Sequence, residues 1–206
     1  GGTLAKSFTS LGINFNVIPI KGNDFFEPRE ADRFSVTSQS YMLNGWVSSD
    51  YRKKIAIDAN AAYRINPLYD QRIYDWGISP RFRPNDKLFF IYNLYNLVFP
   101  KEVGYVHTIE HEDADNEVIY GARERNTVIN TLEASYLFNS RMAFNLRARH
   151  YWSKAVYKDF KLLKTDGYVT DTDYTGEHDR NFNAFTLNLG YTWQFAPGSE
   201  LSIVWK

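Results

Sequence analysis

Cysteine is absent from the 206-residue chain. This excludes a disulfide framework, a thiolate metal site and a cysteine nucleophile. Neither sign of charge is in surplus, since 24 Lys and Arg stand against 24 Asp and Glu. Nucleic-acid-binding domains carry a basic surplus, so nucleic acid is not an expected partner. No run of about 18 apolar residues occurs, so no transmembrane helix is expected. The opening GGTLAKSFTS lacks a basic segment followed by an apolar core, and so does not read as a signal peptide. On this reading a leader has been removed, or the chain is a piece of a longer one. Helical periodicity is nearly missing as well.

What is present is aromatic residues, 17% of the chain, combined with a negative mean hydropathy. Strands with one apolar and one wet face produce that combination. Alternation with a period of two recurs throughout. In MAFNLRARHYWS, residues 142–153, the apolar set is Met142, Phe144, Leu146, Ala148, His150 and Trp152, set against Asn145, Arg147 and Arg149. LGINFNVIP, IAIDANAAYR, YDWGISPRF, VINTLEASYLF and FNAFTLNLGYTWQF alternate in the same way. LFFIYNLYNLVF is apolar on both sets, which leaves its face open. About nine strands of about 10–14 residues are predicted, roughly twice the globular norm.

The connections alternate too. Short ones fall around 50–53, 84–86, 139–141 and 196–200. Longer polar ones fall at 21–40, 66–71, 100–124 and 154–180. Antiparallel neighbours joined this way place short turns at one end and long loops at the other, as in transmembrane β-barrels. A tilted twelve-residue strand covers about 28 Å of membrane depth. Aromatics flank the short turns, as interfacial girdles do.

Parity then fixes faces. Pairing Phe138 with Met142 sets Glu133 opposite Arg147 and Thr131 opposite Arg149. By the same parity Phe195 pairs with Leu201, and Arg83 with Lys87. An arginine at the lipid midplane costs about 2–4 kcal/mol. The arginine face is therefore predicted to line the lumen. The predicted lumen-facing polar residues are Asp58, Arg64, Asp75, Arg81, Arg83, Glu133, Arg147 and Arg149. They serve either as a binding surface or as cross-strand ion pairs that stiffen the wall, the latter favoured for Glu133 with Arg147. His150, on the outward set, is placed at the membrane interface.

NTLEASYLFNSRMAFNLRARHYWS resembles the C-terminal region of a family of large Bacteroidota proteins, a region known as a domain of unknown function. SSDYRKKIAIDANAAYR, ISPRFRPNDKLFFIYNL, EVGYV and WQFAPGSELSIVWK are similar to that family's recurring blocks. They run in the same order from about residue 44 to 206. The resemblance implies an outer-membrane barrel in a Gram-negative bacterium. In such proteins a signal peptide and a domain similar to family-9 carbohydrate-binding modules come first. No sugar-binding or catalytic residue can be carried over from that family.

Two polar stretches invite metal readings. HTIEHEDADNE (107–117) has His107 and His111 four apart, but Thr108 stands where a zinc protease places its glutamate, so a hairpin tip is expected. DTDYTGEHDRNF (171–182) begins like a calcium loop, but Phe182 stands where the bidentate glutamate belongs. A surface calcium at Asp171, Asp173 and Asp179 is the weaker alternative to a plain polar loop. No motif calls for a cofactor.

The expectation is an all-β, antiparallel, up-and-down transmembrane barrel. The chain, 1–206, forms one domain that is an arc of a larger barrel, incomplete at both ends. Three functions are weighed. The first is a transport conduit or docking channel, with the resemblance pointing to a glycan cargo. The second is a plugged anchoring barrel within an envelope protein complex, and the third is an outer-membrane enzyme. Membrane lipid or lipopolysaccharide and other envelope proteins are the expected partners.

Overall fold

The computed structural model describes the backbone of residues 2–4 and all of residues 8–206. The strands are β1 (Gly2–Leu4), β2 (Ser10–Ile18), β3 (Gly22–Asp24), β4 (Ser35–Thr37), β5 (Ser40–Ser48), β6 (Ile55–Asn66), β7 (Gln71–Asn85), β8 (Leu88–Ile109), β9 (Glu117–Asn139), β10 (Met142–Leu163), β11 (Val169–Asp171), β12 (Arg180–Ala196) and β13 (Ser199–Trp205). One 3-10 turn, Leu68–Asp70, is the only helical element among the described residues. All pairings are antiparallel. The main sheet runs β1-β2-β5-β6-β7-β8-β9-β10-β12-β13, with β11 pairing the far end of β10, and β3 and β4 form a separate hairpin. The described sheet is open: its outermost strands, β1 and β13, each pair with one neighbour and not with each other.

Each short turn has a local cause. Asn85 Oδ1 accepts hydrogen bonds from the backbone of Lys87 and Leu88, at 2.9 and 3.0 Å. Asn139 Oδ1 accepts one from Arg141 N at 2.8 Å, and Asp50 Oδ1 one from Arg52 N at 3.0 Å. Side chains of this kind stand in for backbone turn partners. The last turn uses Gly198 at φ 74°, which suits a residue without Cβ.

Register carries one face across the sheet. Ile55 sits opposite Phe82, Phe82 opposite Phe90, Phe90 opposite Ala134, Ala134 opposite Leu146, Leu146 opposite Leu189, and Leu189 opposite Trp205. The alternating apolar sets all fall on this face. For the ambiguous strand, Leu88, Phe90, Tyr92, Leu94 and Val98 join it. The opposite face runs Ala56, Arg81, Ile91, Glu133, Arg147, Asn188.

Parity gives the faces correctly, but two of the three turns differ in register. Glu133 does face Arg147, and Thr131 faces Arg149. Met142, however, pairs with Asn139 across an irregularity, not with Phe138. Trp193, not Phe195, pairs with Leu201, and Phe82 pairs with Phe90, not Leu88. Irregularities beside both turns shift the pairing by an even number, so residues stay on their faces.

The loops also differ from expectation. Strands β8, β9 and β10 are 22, 23 and 22 residues long. Most of 100–124 and part of 154–180 are therefore strand. The connection after β6 is only Pro67–Asp70, tightened by left-handed Tyr69 and Asp70. Lys101, Glu102, Arg123 and Glu124 of the first stretch, and Lys154, Lys158, Asp159 and Lys161 of the second, sit on strands that continue past the apolar face.

Burial divides the sheet in two. On the turn side, the apolar face is bare among the described residues: Ile55 is 60% exposed and its partner Phe82 45%. At the loop end, Val118, Tyr120 and Leu163 are buried against Val103, Tyr105 and Val169. Residues 19–39 pack over this end. Arg33 donates to the Leu163 carbonyl at 2.5 Å, and Val36 N to the Gly167 carbonyl at 2.8 Å. Glu27 Oε1 and Gln71 Oε1 accept from Tyr105 N and Val103 N, on the stretch of β8 that extends beyond its pairing with β7.

Candidate functional site: the polar face and its loop-end mouth

The eight polar residues read from the sequence share the face opposite the bare apolar one, in three separate groups. Near the turn end, Asp58 accepts from the Ser48 and Tyr51 hydroxyls at 2.6 and 2.5 Å and pairs with Arg81 at 3.0 Å. The Arg81 guanidinium also lies 4.4 Å from the Tyr51 ring centroid, and that of Arg83 lies 5.1 Å from Phe89. In the middle, Arg147 Nε lies 3.3 Å from Glu133, both side chains well exposed, and Arg149 lies over Tyr151. Arg64 donates to the Met42 sulfur at 3.2 Å and acts on Asp75 through space. These groups do not converge into one pocket. They form a polar surface on which arginines outnumber carboxylates, with Arg side chains laid over aromatic rings.

The densest polar cluster lies further toward the loops. Glu102 accepts from Arg123 Nε at 2.6 Å, and from Arg125 Nε and a second Arg125 nitrogen at 2.9 and 2.7 Å. Arg125 packs 4.2 Å from the Phe99 ring, and Arg123 donates to the Tyr157 hydroxyl at 2.6 Å. Burial tends to raise the Glu102 carboxyl, but hydrogen bonds from Arg125 and Arg123 win and hold it below its usual range. Gly121 is required here, because a Cβ would come within 2.5 Å of the Tyr157 ring.

This cluster departs from the parity of β8. Pro100 and Lys101 fall in an irregularity between Phe99 and Glu102, which turns Glu102 onto the polar face opposite Arg123. Proline inside a strand pattern marks such a bulge, and Pro100 was the available signal. Segment 172–179 covers this end of the polar face. Tyr157 and Phe160 stack at 5.8 Å, and Tyr174 meets Phe160 edge-on. His178 hydrogen-bonds the Tyr174 hydroxyl at 2.7 Å and lies 6.4 Å from His107. Burial, Arg180 and His107 together push the His178 imidazole below its usual range.

The carboxylates of the calcium-like stretch do not converge. Asp171 accepts from Lys161 at 2.7 Å, Asp179 accepts from Tyr157 N at 2.8 Å, and no metal-holding group of three or more acids, His or Cys forms among the described residues. Of the second metal reading, residues 110–116 form the hairpin tip, while His107 lies in β8 beside His178.

On the apolar face, a polar belt crosses just loopward of the bare region. His150 is flanked by Asn130 at 3.3 Å and Asn183 at 3.0 Å, Tyr92 donates to Asn130 at 2.6 Å, and Trp152 Nε1 donates to Asn181 at 2.9 Å.

Beneath residues 19–39 lies a cavity of about 210 Å³ lined by Asp24, Glu27, Asn66 and Tyr120. Burial pushes the Tyr120 hydroxyl up to about 12. The neighbouring Ser35 hydroxyl opposes that shift, but no hydrogen-bond geometry is met.

No curated protein and no solved structure matches the chain significantly. A family model does match, over residues 2–206, and its description is "Domain of unknown function (DUF5916)". The chain therefore belongs to the DUF5916 family.

Proposed function

We propose that this chain is part of the wall of an outer-membrane β-barrel in a Gram-negative bacterium, and that its polar face lines a non-enzymatic conduit. One observation carries the reading: a register-matched apolar face that none of the described residues encloses on the turn side. Leaving Phe, Leu or Ile side chains in water forgoes roughly 1.5–3 kcal/mol each. With such residues exposed on strand after strand, the sum exceeds the net stability of ordinary domains. Lipid removes that cost.

Strand length supports the same reading. A 23-residue strand reaches about 75 Å, well beyond the roughly 25 Å apolar band even when tilted by about 45°. The bare stretch fills the band and the remainder stands clear. The belt of His150, Trp152 and asparagines fits the interface between them.

Across the eight wall residues, five arginines face three carboxylates, 5 − 3 = +2, so the conduit favours anions. The cargo class suggested by the family resemblance is a glycan. The aromatic cap of Tyr157, Tyr174 and His178 favours a second reading, in which the mouth is closed and the barrel anchors a partner. The test is reconstitution of the full-length protein into planar bilayers. Steady, anion-selective conductance supports the conduit. A bilayer-inserted protein that never conducts favours the anchor, and recovery without detergent in a soluble extract contradicts both.

A further inference from the structure

We infer that the outward face of β8–β10, just loopward of Trp152, holds the headgroup of a phosphorylated, anionic lipid. The inference rests on the membrane-wall reading above. A groove of about 410 Å³ opens there, its apolar wall made by Val98, Pro100, Trp152 and Val156, with Lys154 and Asn126 at its rim. Lys154 has no hydrogen-bond or ion-pair partner among the described residues. The nearby carboxylate, Glu124, pairs with Lys158 at 3.6 Å. Asn126 spends its oxygen on Asn96 at 2.7 Å, which leaves its NH2 group as a donor.

A second hollow, about 330 Å³, adjoins the first at Pro100 and adds Lys101, Lys158 and Lys161, with Asp159 as its acid. Lys161 is occupied by Asp159 and Asp171, at 2.5 and 2.7 Å. Unmatched positive charge is thus concentrated at Lys154 and Lys101.

Position decides the ligand. On the turn side of the groove lie the interfacial belt and the bare apolar face, where acyl chains would run. On the loop side lie lysines, whose stems can follow an apolar surface while their amines stay wet. A negative head joined to an apolar tail satisfies both sides. Free phosphate would leave the apolar wall of Val98, Trp152 and Val156 unused.

The test is native mass spectrometry of the full-length protein released from detergent. It is offered phosphatidylglycerol and phosphatidylcholine with identical acyl chains, with inorganic phosphate as competitor. Wild type should retain phosphatidylglycerol at least fivefold over phosphatidylcholine. Lys154→Gln should lower that ratio about fivefold, the equivalent of ~1 kcal/mol per basic side chain near an anionic surface. Lys154→Arg should preserve it, which separates lost charge from lost folding. Equal retention of the two lipids by wild type, or a ratio unmoved by Lys154→Gln, overturns the site. Displacement of phosphatidylglycerol by millimolar inorganic phosphate alone overturns the lipid assignment. Failure of the protein to insert into bilayers overturns the wall reading instead, and is recognised because neither lipid is retained.

Discussion

The two ends of the same sheet solve the hydrophobic problem in opposite ways. At the loop end, Val118 and Leu163 are 0% and 2% exposed, and the chain supplies its own cover from residues 19–39. At the turn end, Ile55 and Ile203 are 60% and 56% exposed, and none of the described residues encloses them. Both ends carry aliphatic and aromatic residues, although at the loop end of β8–β10 polar residues stand on both faces. They differ in what the chain does on the outward side. A fold that can bury Tyr120 under a loop has the means to bury Ile55 as well, and on the proposed reading the bare end is a surface that meets another apolar medium.

The sharpest way to break this comparison is to damage one end and watch the other. Leu163→Ala removes a fully enclosed side chain and should cost about 2–5 kcal/mol. The loss should appear as increased hydrogen exchange in residues 19–39 and 117–122, while the turn-side strands keep their protection. Uniform deprotection would mean that the two ends are one cooperative unit.

Leu146→Arg places a charge at the centre of the bare face. It should destabilise the bilayer-inserted protein by about 2–4 kcal/mol in urea unfolding from liposomes. On a water-facing surface the same change would fall within about 0.5 kcal/mol. The contrast between those values is itself diagnostic.

Glu102→Gln leaves Arg123 and Arg125 without their shared carboxylate. A loss of about 1–3 kcal/mol is expected, below that of a fully buried pair because Glu102 keeps 15% side-chain exposure. The sign with pH follows from its depressed folded-state value. The stabilisation is complete above the ordinary carboxyl value of 4.5 and is lost as pH falls through the lower folded value. Acid unfolding monitored at the loop end should therefore lose this component in Glu102→Gln. At the small end, Glu133→Ala breaks an exposed pair and should cost about 0–1 kcal/mol, vanishing at high salt.

Much of this was legible in the residues. Period two identified the apolar sets, and parity set Glu133 against Arg147, because β9 and β10 keep a continuous register from Leu137 to Arg123. The strand lengths were not legible. Beyond the apolar face both sides of β8–β10 carry polar residues, so 100–109 and 154–163 look like loop. The Glu102 cluster was hidden for a related reason. The irregularities between Phe99 and Glu102 and between Tyr105 and His107 reset the alternation that parity depends on. The cover formed by residues 19–39 could not be foreseen either, because its contacts span up to 130 positions in sequence.

The absence of native cysteine makes the most direct test clean. Single cysteines placed in turn at residues 142–153 of the membrane-reconstituted protein would carry a spin label. Its collisions with oxygen, concentrated in lipid, would be compared with those of a water-soluble nickel chelate. The account predicts strict alternation, with Phe144, Leu146 and Ala148 favouring oxygen and Asn145, Arg147 and Arg149 favouring nickel. Equal nickel access at every position, or oxygen maxima at the arginines, would contradict it.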